Sequence, residues 1–222
     1  MDRVCFLDND IIHKLVAMSL FYEAIDVLHI ERSNLQILPT ARYWFSSQKK
    51  RRQQYSDVVW DMAIAVVNAC RPISIIMDED SLSELEYLNQ FRNVIHEGEQ
   101  QLILATRSQP DFLLLTGDKV CLAALPKLSE EIYQRLEGRV ICLEQVVWLL
   151  IQQLGFEVVK TRVLPMRQYD KAIQACFGSG EQAQECNVLE TLTGYITNLQ
   201  RQVPGLLANI EQLGNDPTEG NI

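Results

Sequence analysis

The residues in this chain most suited to chemistry are carboxylates that stand where apolar runs end. The run Arg3 to Leu7 stops at Asp8-Asn9-Asp10, and the run Phe112 to Leu115 closes on Thr116-Gly117-Asp118. Glu99 lies near the start of a helical stretch that opens at Glu97 and leads into the second of these runs. Short apolar runs of this kind read as buried strands. In a parallel α/β sheet, sites form outside the carboxyl ends of the strands, so Asp8 and Asp118 are placed to share one edge, with Glu99 facing the same crevice. Carboxylates gathered in a crevice repel one another unless a cation neutralises them, and an all-oxygen set selects a hard ion such as Mg2+ or Mn2+. Such an ion lowers the pKa of water and steadies the oxygens of an in-line displacement at phosphorus. Asp8, Glu99 and Asp118 are therefore the expected catalytic and metal-holding residues. Asp10 and Glu97 are further candidates for the metal, although Asp10 is better suited to cap the helix that follows it. Thr116 is an auxiliary candidate through its hydroxyl, although turn chemistry explains it as well.

The other reactive side chains offer no comparable pattern. His13, His29 and His96 have no Ser or Cys nucleophile arrangement around them, and the six cysteines are scattered singly without a CxxC pair. Cys5 and Cys142 fall in strand-like apolar runs and read as small buried hydrophobes of a reducing compartment. A formal net charge of −9 excludes a protein that coats nucleic acid indiscriminately, because affinity for phosphates comes from clustered Lys and Arg. One such cluster exists, Lys49, Lys50, Arg51 and Arg52, with Arg42 upstream and Tyr43, Trp44, Phe45 and Tyr55 around it. It is the candidate nucleic-acid contact, against the plainer reading of a solvated face.

The elements that must position these groups can be read from periodicity. Ile11, Leu15, Met18 and Tyr22 recur at helical spacing after the first acidic turn. Leu35 to Leu38 reads as a second strand stopped by Pro39, after which Thr40 can cap a helix. Ser56 to Ala69 reads as a core helix, Ile73 to Met77 as a strand or an extended loop, and Asp80 to about Arg92 as a helix opened by Asp80 and Ser81. Val140 to Leu143 and Glu144 to Leu154 complete the alternation, with Gly155 ending the last helix. Strands alternating with helices predict an α/β fold, a mostly parallel central sheet covered on both faces. Beyond about Lys160 the chain turns polar and mixed, with a helix expected over Val188 to Gln202 and a frayed tail from Gly214. No apolar run reaches the roughly 18 residues of a membrane span, and the N-terminus has no signal-peptide core, so a cytoplasmic protein without membrane contact is expected.

The segments Phe6-Leu7-Asp8-Asn9-Asp10-Ile11-Ile12, Glu97-Gly98-Glu99-Gln100-Gln101-Leu102-Ile103-Leu104-Ala105 and Leu113-Leu114-Leu115-Thr116-Gly117-Asp118-Lys119 resemble, in order and spacing, the three acidic motifs of PIN-domain nucleases. The resemblance covers roughly Met1 to Gly155. It implies a PIN-like three-layer α/β/α domain over residues 1–156, a C-terminal helical extension over 157–213 and a tail over 214–222. It further implies a metal-dependent hydrolase, with RNA, single-stranded, as the favoured substrate and Mg2+ or Mn2+ as the cofactor. A protein inhibitor, as in a toxin–antitoxin pair, and a homodimer are partners compatible with it. One position departs from the pattern: many members carry a further acid near Thr40 to Phe45, where this chain reads Thr-Ala-Arg-Tyr-Trp-Phe. That departure keeps a second reading open, a PIN-like module that binds nucleic acid or protein without cutting. A third is a haloacid-dehalogenase-like phosphatase with Asp8 as nucleophile; it lacks the acid expected a few residues after Asp118.

Overall fold

The computed structural model describes residues 3–47 and 57–213. Its centre is β1 (Val4–Leu7), flanked on one side by β2 (Leu35–Ile37) and on the other by β4 (Phe112–Thr116). β3 (Arg71–Pro72) pairs outside β2 and β5 (Val140–Cys142) outside β4, so the order is β3-β2-β1-β4-β5 with every pairing parallel. All five side chains of β4 are buried, which is what a strand covered by helices on both faces requires. The α/β class and the parallel sheet are as the sequence predicts. The chain builds outward from β1 to β3 and then crosses back to lay β4 on the opposite side of β1. That crossing makes the β1/β4 boundary the topological switch point, where the connections leave in opposite directions.

The helices follow from apolar spacing, with boundaries that differ in places from expectation. α1 (Asn9–Ala17) buries Ile11, Ile12, Leu15 and Val16, and α2 (Phe21–Val27) follows it. α3 (Ala41–Ser47) and α4 (Asp57–Ala69) pack on each other, and α4, which also packs on α1, buries Trp60, Ala63, Val66 and Val67. The apolar stretch Ile73 to Met77 is an extended loop rather than a strand: after the Ile73 N–H donates to Ile37 O at 2.8 Å no further pairing follows, and Ile76 and Met77 are exposed. Asp78 rather than Asp80 caps α5 (Glu79–Leu88), accepting the Ser81 N–H at 2.8 Å. α6 (Glu97–Ala105) leads into β4, and α7 (Lys119–Ala124) leaves it. α8 (Glu130–Leu136) then precedes β5, and α9 (Leu143–Leu154) follows directly, eight of its twelve residues buried.

The C-terminal helices do not form a separate body. α10 (Phe156–Val163), α11 (Lys171–Cys176) and α12 (Glu185–Gln202) place Val159, Ile173, Phe177, Val188, Leu192 and Leu199 in the same hydrophobic core as the sheet. α12 begins three residues before the expected Val188. Beyond it, the chain runs along the free edge of β5, with Val140 N–H donating to Leu206 and Ala208 N–H donating to Val140. This covers an edge that would otherwise present unpaired backbone groups. A short helix, α13 (Ile210–Leu213), closes the described chain. Among the described residues no helix is long and apolar enough to cross a membrane.

Candidate functional site

The acidic residues cluster at the switch point because β1 and β4 deliver them there. Leu7 pairs with Leu115, so Asp8 and Thr116 leave the sheet side by side. The Asp8 N–H continues the ladder by donating to Leu115 O at 3.1 Å. The Thr116 hydroxyl then joins the two acidic turns: it donates to Asp8 Oδ2 at 3.2 Å and accepts the Asp118 N–H at 3.1 Å. Asp118 caps α7, its Oδ1 accepting the N–H groups of Val120 and Cys121 at 2.8 and 3.0 Å. That leaves Oδ2 free of helix duties and fixes the orientation of the carboxylate.

Glu99 arrives from α6. Gly98 beside it permits the approach, since a β-carbon there would come within 2.9 Å of Leu38 Cδ1, in the loop after β2. Glu99 Oε2 is buried without a hydrogen-bond partner, and so is Asn9 Oδ1, next to Asp8 in the chain. The three carboxylates sense one another. Asp8, only 7% exposed, is pushed up to about 7 by burial first, then by the charges of Glu99 and Asp10, while the Asp10 backbone N–H and the Thr116 hydroxyl pull it back. Glu99 is raised by burial and by the charge of Asp118. The buried Cys121 thiol is raised by burial and then by Glu99, Asp118 and Asp8 together, so all three acids lie within electrostatic reach of one point.

The auxiliary candidates divide. Asp10 does not cap α1; Asp8 holds that position, and Asp10 sits in the first turn with Lys14 Nζ at 2.6 Å from its Oδ2. Its carboxylate rests over the β4–α7 turn, where a β-carbon on Gly117 would lie 2.5 Å from Asp10 Oδ2. Glu97 is exposed and accepts from Gln101 Nε2 at 3.3 Å, on the solvent side of α6. His96 precedes α6, exposed, and its charge favours ionised Glu99. His13 is buried with its ring edge-on to Trp44. Lys49, Lys50, Arg51 and Arg52, with Tyr55, lie outside the described residues. Arg42 reaches the carbonyls of Asn68 and Cys70, and Phe45 belongs to the core while Tyr43 is exposed.

Sequence reasoning did not single out several residues that border the crevice. Lys14 joins Asp10 to Asp170, and Lys119, next to Asp118, pairs with the buried Glu144 in the first turn of α9. The four-residue spacing of Asp10 and Lys14 is a helix-pairing signal that was there to be read. Nothing local marks Asp170 or Glu144 as their partners.

A hard divalent cation suits this crevice in chemistry: the donors are oxygens, like charges raise one another's pKa, and Glu99 Oε2 is a buried acceptor without a donor. Among the described residues, however, no group of three or more His, Cys, Asp or Glu side chains is placed to hold a single metal ion. Comparison with protein families, with characterised proteins and with solved structures finds no match to this chain.

Proposed function

We propose that the protein is a metal-dependent nuclease of PIN-like type, hydrolysing phosphodiester bonds of nucleic acid, single-stranded RNA for preference. The observation that carries this reading is the meeting of Asp8, Thr116 and Asp118 at the switch point of a parallel sheet, with Glu99 electrostatically coupled to them. Asp8, Glu99 and Asp118 would hold Mg2+ or Mn2+, with Asp10 as a further oxygen donor. The bound ion supplies an acidified water and stabilises charge on a phosphate. The chain's own part is positioning. Thr116 orients the Asp8 carboxylate, the α7 cap fixes Asp118, and Gly98 lets Glu99 reach the crevice. With a net charge of −9, contact with the substrate backbone must be local, and Lys49 to Arg52 is the segment with the charge for it.

A second reading is favoured by one observation, the lack among the described residues of three ligands ready for one ion. It is a PIN-like module that binds nucleic acid or protein without cutting. Cleavage of a single-stranded oligonucleotide with Mn2+ or Mg2+ separates the two. Wild-type protein should cut, and Asp8→Asn, Asp118→Asn and Glu99→Gln should each lose 100-fold or more, on the order expected for removing a group that organises a metal site. Binding without cutting selects the second reading. Turnover of small phosphomonoesters with Glu99→Gln fully active would defeat both.

A further inference from the structure

We propose that the outer face of α5, with the loop before it, is a docking surface for a basic amphipathic helix of a protein partner. The surface shares no residue with the acidic crevice, so its test stands apart from that of the proposed activity. Three large apolar side chains exposed among the described residues crowd into one short stretch: Ile76 at 74%, Met77 at 49% and Leu82 at 48%. Met77 and Leu82 stand either side of the Asp78 cap, at the positions of a hydrophobic staple, which sets them on one side of the helix entry. A staple accounts for their pairing but not for their exposure, and it gives Ile76 no role. Along α5, Leu82 shares a stripe with Glu79 and Glu86, so an exposed carboxylate flanks it one turn away in each direction. The helix buries Ser81, Glu84 and Leu88 and packs on α6 and on the turn Asn89–Phe91, which leaves the Leu82 stripe outward.

The charge around this patch is of one sign. From Pro72 to Phe91 the chain holds Asp78, Glu79, Asp80, Glu84 and Glu86 and no Lys or Arg. Arg107 and Arg135, brought to α5 by neighbouring elements, both pair with the buried Glu84, so they neutralise the inner carboxylate and not Glu79 or Glu86. In the groove beside α5, about 410 Å3 in volume, α8 adds the exposed Glu131 opposite Asp80. An acidic helix alone is a solvated face, but contiguous apolar side chains rimmed by charge mark a contact surface. The rim then selects the partner, attracting Lys and Arg and repelling acid. A helix with apolar residues one turn apart can lie on Ile76, Met77 and Leu82 and present its cations to Glu79 and Glu86. A second copy of this chain, bearing the same acidic face and a net charge of −9, is repelled there. An extended segment would seek the β3 edge, where Pro72 has no N–H to offer.

The probe is a fluorescein-labelled amphipathic peptide of Leu and Lys, roughly 18 residues long so that it can hold a helix. Its binding to the full chain is read by anisotropy over a series of NaCl concentrations, with sedimentation velocity of the protein alone. Wild type should bind, more weakly as salt rises, and the same peptide with Glu for Lys should not bind. Ile76→Gln with Leu82→Gln keeps every charge and should weaken binding about tenfold, the scale of losing apolar anchors at the centre of an interface. Glu79→Lys with Glu86→Lys should weaken it about tenfold or more and flatten the salt dependence. Glu185→Lys with Glu190→Lys, at exposed positions of α12, changes net charge equally and should move affinity less than about twofold. No binding by wild type, equal effects of the two Lys pairs, or full binding by the Gln pair would overturn the inference. A dimer of the protein alone that the Gln pair dissolves would overturn it too, by giving the face to a second copy. Should the Gln pair fail to fold, the two Lys pairs decide.

Discussion

At Asp8, burial and like charge act together. Its carboxyl is pushed up to about 7, first by desolvation and then by Glu99 and Asp10, whereas in an unfolded chain it would titrate near 3.9, roughly the value of a free Asp. The sign of the consequence follows from proton linkage. Below about pH 4 both states hold the proton and Asp8 contributes no pH dependence. Between about pH 4 and 7 the unfolded chain has lost its proton while the folded chain keeps it, so stability falls as pH rises. Above the folded value the penalty is fully present, on the order of 4 kcal/mol for a shift of this size. Asp8→Asn removes it and keeps an oxygen for the Thr116 hydroxyl. In EDTA, the variant should melt above wild type at pH 8, and the difference should shrink towards zero by pH 4. A difference that stays constant across that range would show that Asp8 bears no such load. Cleavage should move the other way, lost at every pH, so stability and activity separate at this one residue.

The elements that the sequence declared were those with strong apolar signals. β1, β4 and β5 are runs of mostly buried apolar side chains ending at a polar residue or a helix start. α4 and α9 carry helical periodicity. β3 was hidden because it consists of Arg71 and Pro72, both exposed, while of the apolar residues beside it Ile73 adds one hydrogen bond to β2 and Ile76 and Met77 are exposed. Hydrophobicity measures burial, and at a sheet edge burial and pairing part company. A second hidden feature joins elements. Glu84 on α5 is buried, accepting from Arg107 Nη1 at 2.8 Å and from Arg135 on α8, and Arg135 Nε reaches Thr106 Oγ1 at 2.9 Å. This network fastens the α5 and α8 layer to the end of the helix that presents Glu99. Removing the carboxylate takes from Arg135 its anion and leaves Arg107 only Asp80 at 3.5 Å, and Glu84→Ala should destabilise by about 3 kcal/mol in urea unfolding. Losses below about 1 kcal/mol would mean that the network is solvated rather than structural.

Across the whole molecule, the acidic residues were legible because each is anchored by its own local motif, a strand end or a helix start. The groups that tie them to the C-terminal helices were not, because Lys14 and Asp170 are 156 positions apart and only the fold brings them together. The same distinction governs what the segment after residue 156 is for. Read as sequence, it looks like an appendage to a domain that ends near Gly155. In the structure, α9 is mostly buried, α10 and α12 pack against it, and Val159, Leu192 and Leu199 on those two helices belong to the core that contains the sheet. Residues 206–208 also line the edge of β5. Removing 157–222 would expose a contiguous apolar face far larger than a monomer usually tolerates and leave Lys14 with Asp10 alone. A chain of residues 1–156 is therefore expected to lose its cooperative melting transition, to bind ANS and to aggregate, rather than to survive as a minimal nuclease. Circular dichroism and calorimetry on that fragment decide the matter. A sharp transition near that of the full chain, with Mn2+-dependent cleavage retained, would show that the C-terminal helices are an independent attachment and that the crevice is complete without them.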